Sequence, residues 1–403
     1  MKKLFLIASL FLLINSNSFL LLSQKPIASL PFELVGDYII VKASINNNPP
    51  LSFILDTGVR RTIITELSEN DSISFEYVER REMLGLGYGK SLFAFVSNNN
   101  QIQVGRLKMP SRTVYVLESD VLNLSRQTGT KVNGLLGFDF FENHVVQIDY
   151  TTRRIRFYES DMFVAPKKYT PVPLDIINQK IFVDLLISDA NNYCRKSKVL
   201  IDTGARLNAW FQTFTEDALS VPDKNIYGRL GEGFSGEISG KLSRFPKLCL
   251  GNFCFKNTTI AFPDSIAISG ILLDGDRDGT VGSSLLRRFN LYFDVKRSIL
   301  YLKPNSYFSK SFTYNVAGME IVQIIQNLPH YRVVSVWEGS PAEEAGIRVG
   351  DSIIEINREK VFSLTLSQVR GILERPSSRP LKIVLLRNDG ERIEVNLNMK
   401  ARI

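Results

Sequence analysis

Cysteine, histidine and tryptophan are scarce: 403 residues hold three cysteines, two histidines and two tryptophans. His144 and His330 stand far apart, with no cysteine or acid at ligand spacing, so the common zinc patterns are excluded and no metal or cofactor is expected. No cysteine precedes Cys194, which excludes a lipid-modified cysteine near the N-terminus. Beyond the first two dozen residues no run is long and apolar enough to span a bilayer. Basic residues outnumber acidic ones, 49 to 41, for a net charge of +8. They form no concentrated stretch and are not interleaved with aromatics, so nucleic acid is not an expected partner. With 44% hydrophobic and 22% charged residues, the composition is that of a globular chain and excludes disorder.

The N-terminal 24 residues stand apart. Lys2 and Lys3 precede an apolar run from Leu4 to Ile14, followed by Asn15, Ser16, Asn17 and Ser18. A basic start, a short apolar core and a small polar end describe a secretory signal peptide. The competing reading is an uncleaved anchor, which the shortness and polar interruption of the run disfavour. The expectation is export to the periplasm or the extracellular space, with no stable membrane span after signal removal. Cys249 and Cys254 flank "LGNF", a tight turn that sets them opposite each other. In an exported chain they form a disulfide or remain two buried thiols, and both readings are open.

The chain repeats itself. "FILDTGVRRT" at 53–62 and "VLIDTGARLN" at 199–208 each run an apolar strand into Asp-Thr-Gly, with Asp56 and Asp202 146 residues apart. Gly105 and Gly251, Gly137 and Gly282, and Asp149 and Asp294 keep nearly the same offset. "NGLLGFDFFENHVVQIDYTTRRIRFY" at 133–158 answers "DGTVGSSLLRRFNLYFDVKRSILYL" at 278–302. The segments are short, alternating and rich in Val, Ile, Phe and Tyr, with Gly or Asn between them, so two duplicated β-rich lobes are expected. Residues 159–170 read as the connection between lobes, and Pro304 to Phe312 as a second linker.

One Asp-Thr-Gly alone is a turn. Two in register, each followed at similar distance by an apolar-Gly strand, point to a site. The pattern resembles the aspartic peptidases in their single-chain, two-lobed form, whose halves are similar to the retroviral-type subunit. The resemblance covers roughly residues 30–304 and rests on Asp56-Thr57-Gly58, Asp202-Thr203-Gly204, "LLG" at 135–137 and "TVG" at 280–282. It implies that each lobe donates one aspartate to a shared cleft. Two close carboxylates cannot both ionise comfortably, so they share a proton. One member then activates a water while the other protonates the scissile carbonyl oxygen. By resemblance Thr57, Gly58, Thr203 and Gly204 support Asp56 and Asp202. Many relatives carry Ser or Ala after the Gly; here Val59 and Ala205 offer no hydroxyl to the carboxylates, which implies activity at milder pH. Arg60, Arg61 and Arg206 follow closely; surface ion pairs are favoured over selection of acidic substrate side chains. "GLGYGK" at 85–90 and "GEGFSG" at 231–236 are candidate covering hairpins, with Tyr88 as the flap aromatic.

From about Tyr314 the texture changes. "YRVVSVWEGSPAEEAGIRVGDSIIEIN" at 331–357 reads as strand, turn, short helix from Ser340-Pro341, and strand. Leu366, Val369 and Leu373 take helical spacing, and "LKIVLLRNDGERIEVNL" reads as a hairpin around Asn388-Asp389-Gly390. This resembles a PDZ domain over roughly 314–400, which implies a groove for a peptide C-terminus. "AGMEI" at 317–321, with Gly318, Met319 and Glu320, is the expected carboxylate loop.

The expected architecture is mainly β: a bilobal acid-protease fold of two duplicated, β-barrel-like lobes followed by a PDZ domain. Residues 1–24 form the signal, 25–160 and 168–304 the lobes, and 314–401 the PDZ domain. The expected function is an exported aspartic-type endopeptidase acting on polypeptide substrates. The alternative is a catalytically silent exported peptide-binding or scaffold protein.

Overall fold

A computed structural model describes residues 24–68, 71, 73–76, 78–83, 86–87, 92–188, 194–214, 218–269 and 277–403. Each duplicated half builds one closed barrel. In the first, strands Tyr38–Ile45, Leu51–Leu55, Gly134–Leu136, Thr62–Ile64, Leu107–Leu117 and Leu92–Val104 pair in that order, and the ends close through Ser44 opposite Gln103 and Ile45 opposite Ile102. In the second, Lys180–Ser188, Cys194–Asp202, Gly279–Gly282, Ala209–Phe211, Phe253–Pro263 and Gly236–Leu250 repeat the order, closed by Leu185 opposite Leu250 through Ser188 opposite Lys247. Both barrels are mixed: the strand carrying each Asp-Thr-Gly runs parallel to its glycine strand. All five residues of Leu51–Leu55 are buried, so that strand, apolar but for Ser52, is covered on both faces rather than alternating.

A six-stranded sheet joins the lobes beneath the barrels, in the order Ala28–Pro31, Arg154–Glu159, His144–Asp149, Phe289–Asp294, Ile299–Pro304, Thr170–Pro173. Its centre pairs Val146 with Phe293 and Ile148 with Leu291, one strand from each half. A single apolar core runs through both lobes, with Phe53, Phe141, Phe157, Phe211, Phe245, Phe289 and Phe293 fully buried. Each such side chain contributes roughly 1.5–3 kcal/mol, so the lobes are not independent bodies. The repeated Asp149 and Asp294 are turn acceptors: Asp149 takes the Thr151 and Thr152 N–H groups and Asp294 that of Arg297, all at 3.1 Å.

The two connections are pinned rather than slack. Phe163 packs among Tyr158, Tyr292 and Tyr301. Phe308 and Phe312 lie on Phe255, and the Arg288 guanidinium donates to the carbonyls of Tyr307, Phe308, Lys310 and Ser311. Aromatic residues within polar stretches decide this, since they bury against the lobes they connect. The turn between Leu250 and Phe253 carries a Cys249–Cys254 disulfide.

The C-terminal sheet runs Met319–Ile325, Leu328–Val336, Ser352–Ile356, Leu381–Leu386, Arg392–Leu397, with Glu359–Lys360 paired to Ser352–Ile356. Helix Pro341–Glu344 begins at Ser340, whose hydroxyl accepts from the Glu343 N–H. Helix Leu366–Leu373 begins with a reciprocal Thr365–Gln368 capping box and buries Leu366, Val369 and Leu373. This domain rests on the second-lobe hairpin: a side chain at Gly228 would meet the Trp337 ring at 2.4 Å. Among the described residues no helix is long and apolar enough to cross a membrane.

Candidate active site

The two Asp-Thr-Gly turns meet at the lobe boundary. Each aspartate's own turn binds it: the Gly58 N–H donates to Asp56 at 2.7 Å and the Gly204 N–H to Asp202 at 2.9 Å. The threonines cross over. Thr57 N–H donates to the Thr203 hydroxyl and Thr203 N–H to the Thr57 hydroxyl, both at 3.1 Å. Their hydroxyls donate in turn to Ile201 and Leu55 carbonyls of the opposite lobe, both at 2.6 Å. All four groups are buried and satisfied, so the two turns are held as one rigid unit.

Glycine is required for closeness rather than for turning. A Cβ on Gly58 would lie 2.7 Å from an Asp202 oxygen, and one on Gly204 would lie 2.3 Å from the Asp56 carboxyl. Behind the turns, Gly137 and Gly282 pass the backbone of Arg61 and Leu207 so tightly that a side chain would meet their carbonyls at 2.7 and 2.4 Å. Those glycines let the crossing strand reach the aspartate loop, where the Asp56 N–H donates to Leu136 O at 2.8 Å.

The carboxyl groups of Asp56 and Asp202 are hydrogen-bonded to each other. Burial first, and then the Asp202 charge, push Asp56 well above the ordinary carboxylate range. Burial also raises Asp202, opposed by the Gly204 N–H, the Arg277 guanidinium and the Asp56 hydrogen bond. Both carboxyls are thus held above the ordinary range, and the proton they share belongs to the pair rather than to either residue.

The pair floors a cleft of about 730 Å³ whose walls include Tyr38, Met83, Leu86, Trp210, Leu230 and Phe234. Two hairpins cover it. Leu86 and Gly87 meet the second-lobe tip, where Ser235 N–H donates to Leu86 O, and Gly87 N–H donates to Ala267 O, both at 2.8 Å. Tyr88 lies outside the described residues. Of the arginines after the turns, Arg206 pairs with Glu374 of the C-terminal domain at 2.9 Å, and Arg60 donates to Asn178 O at 2.9 Å. Arg60, Arg61 and Arg206 all line the cleft.

Sequence reasoning missed Trp210 and Arg277. Arg277 stands 5.4 Å over the Trp210 ring and bears electrostatically on Asp202. The signal for Trp210 was its place, eight residues after Asp202 in the strand that flanks the glycine strand. Nothing local marks Arg277.

The residues of the expected carboxylate loop lie at one end of a groove between strand Met319–Ile325 and helix Leu366–Leu373. Gly318 has φ +70°, and its N–H donates to the Asn315 side chain at 3.0 Å. Met319 O accepts from the same side chain at 2.9 Å, and Glu320 lines a smaller cavity of about 350 Å³ that the groove shares with the lobes.

Comparison with known proteins agrees with this geometry. A profile described as aspartyl protease matches residues 41–140, and one described as PDZ domain matches residues 332–387. No curated protein matches the chain. The second barrel repeats the first strand for strand. The chain thus carries an aspartyl protease domain in a duplicated, two-barrel form, followed by a PDZ domain.

Proposed function

We propose that the chain is an aspartic endopeptidase whose catalytic residues are Asp56 and Asp202. The single observation that carries this reading is the buried, mutually hydrogen-bonded pair of carboxyls at the floor of a covered cleft, one from each lobe. The ionised member of the pair, steadied by the glycine N–H of its own turn, draws a proton from the attacking water. The protonated member donates its proton to the carbonyl oxygen of the scissile bond. The water adds directly, and the resulting diol collapses as the carboxyl that took the water's proton gives it to the leaving nitrogen and the other carboxyl takes a proton back from a diol hydroxyl. Neither carboxylate becomes bonded to substrate.

The Thr57–Thr203 crossing keeps the carboxyls at fixed separation, so little reorganisation is needed as charge develops. The apolar walls, Leu86, Trp210, Leu230 and Phe234, favour extended peptides with bulky apolar side chains beside the scissile bond. Leu86 and Gly87, hydrogen-bonded to Ser235 and Ala267 of the second lobe, help keep bulk water from the dyad. We further infer export, supported by the basic-apolar-polar pattern of residues 1–24 and by the Cys249–Cys254 disulfide, since such bonds persist in oxidising compartments. Recovery of the chain only in the reduced cytoplasm would overturn that inference.

Incubation of the full chain with an unbiased peptide library, with and without a statine-type inhibitor, tests the function. Cleavage at internal bonds that the inhibitor abolishes is expected. Absence of cleavage at every pH between about 3 and 8 overturns it.

A further inference from the structure

Strand Met319–Ile325 is the edge of its sheet: Leu328–Val336 pairs with one side, and among the described residues no strand pairs with the other. The open side faces helix Leu366–Leu373, which makes it the natural place for an added strand. Here it faces the first lobe as well. Gly129, the left-handed cap of helix Leu124–Thr128, is wedged between the two walls of the groove. A side chain there would lie 2.9 Å from the Gln323 amide oxygen and 3.1 Å from Leu366.

One arginine ties this arrangement together. Arg370 donates through one nitrogen to Ile321 O at 2.7 Å, an edge-strand carbonyl inside the groove, and through the other to Gln127 O at 2.6 Å. The Gln127 side chain donates to Leu122 O at 2.8 Å and to Glu232 at 3.3 Å, in the second-lobe hairpin over the cleft. One turn on, Glu374 holds Arg206, four residues after Asp202. Gln127, Glu232 and Arg206 all line the catalytic cleft.

We propose that Arg370 is a latch: it closes the PDZ groove on the first lobe, and a peptide tail entering the groove opens it and resets the catalytic cleft. A tail adding along Met319–Ile325 must take the hydrogen bond of Ile321 O and displace Gln127–Gly129. Both moves break contacts of Arg370. The Gln127 link to Glu232 is then released, which alters the hairpin over Asp56 and Asp202. Arg370 is thus a positioning residue for the cleft and touches no reacting atom. This inference rests on the peptidase reading for its effect on turnover, though not for its effect on binding.

The test uses the full chain in two arms. In the first, Asp56→Asn prevents cleavage, and fluorescein-labelled decapeptides ending in a free-carboxylate Leu, Val or Phe, with amidated twins, are followed by anisotropy. Removing a competing charged hydrogen bond by Arg370→Ala should tighten the free-carboxylate peptides about tenfold. Arg370→Lys, which keeps charge and one bond, should fall between. Hydrogen exchange at Gln127 and Gly129 should quicken when peptide binds. In the second arm, with Asp56 intact, the same peptide should change kcat/KM for an internally quenched amidated substrate by about threefold or more, and Arg370→Ala should show that change without peptide. Equal affinity in parent and Arg370→Ala within about twofold overturns the latch, as does the absence of binding in both. Bound peptide with unchanged parental turnover overturns the coupling. Zero turnover under all conditions refutes the peptidase reading instead, and the anisotropy arm still decides the latch.

Discussion

Thr57 and Thr203 exchange the same hydrogen bond in both directions, each N–H donating to the other's hydroxyl at 3.1 Å across the lobe boundary. Thr57→Ala removes an acceptor for Thr203 N–H and the donor to Ile201 O, both buried. We expect either alanine variant to lose about 1–3 kcal/mol per stranded buried group. The double variant should cost less than the sum, because both changes break one network. Chemical denaturation of the four proteins checks this; strict additivity would mean that the two turns are not one unit.

Gly58 and Gly204 have ordinary negative φ values, so alanine at either place strains no backbone and acts only through its Cβ. That Cβ would press the opposing carboxyl, more severely at Gly204, where it would lie 2.3 Å from Asp56. Gly204→Ala should cost about 1–3 kcal/mol of stability from overpacking, and the protein that remains folded should lose about 100-fold or more in kcat. An unchanged kcat would show that the carboxyl positions do not matter.

Both dyad carboxyls titrate above the ordinary Asp range, raised first by burial. The singly protonated pair therefore persists at pH values where an isolated Asp, near 3.9, has lost its proton. The kcat/KM profile should peak above that range, falling on the acid side as both groups protonate and on the alkaline side as both ionise. The same raised values stabilise the fold at low pH and lose that contribution as pH rises through them, so Asp56→Asn should be the more stable protein on the alkaline side. A peak below about pH 3 would contradict this account.

Asp139 is buried behind the first turn, and neither carboxyl oxygen has a hydrogen-bond partner among the described residues. Burial pushes it to about 6, against the pull of Arg112 and Arg61. The folded state holds this proton more tightly than the unfolded state, so the contribution of Asp139 to stability is lost as pH rises from near 3.8 to about 6. Asp139→Asn should therefore stabilise the chain by up to about 3 kcal/mol at pH 7.5 and give no gain near pH 3.5. Melting curves at the two pH values separate this from a simple packing effect, which would not depend on pH.

Much of the fold was legible because duplication writes the same local signals twice. The apolar strand before each Asp-Thr-Gly, the crossing glycines 137 and 282, and the Ser340 and Thr365 helix starts all sit within a few residues of what they determine. Barrel closure was not legible, since Ser44 and Gln103 carry no mark of each other. Nor was the docking of the PDZ domain, because Arg206 meets Glu374 across 168 residues and Arg370 meets Gln127 across 243. Such partners are chosen by three-dimensional packing, for which the chain has no local pattern. The polar stretch 304–312 read as a spacer because its serines and asparagine outweigh Phe308 and Phe312, the two side chains that anchor it.

The central claim is that one carboxyl from each lobe shares a proton and activates a water. Side-by-side turnover of the parent, Asp56→Asn and Asp202→Asn on one peptide tests it most directly. Asparagine keeps shape and hydrogen bonding while removing the titrating group, so each single variant should lose at least about 100- to 10,000-fold in kcat. Either variant turning over within a few-fold of the parent would contradict the account.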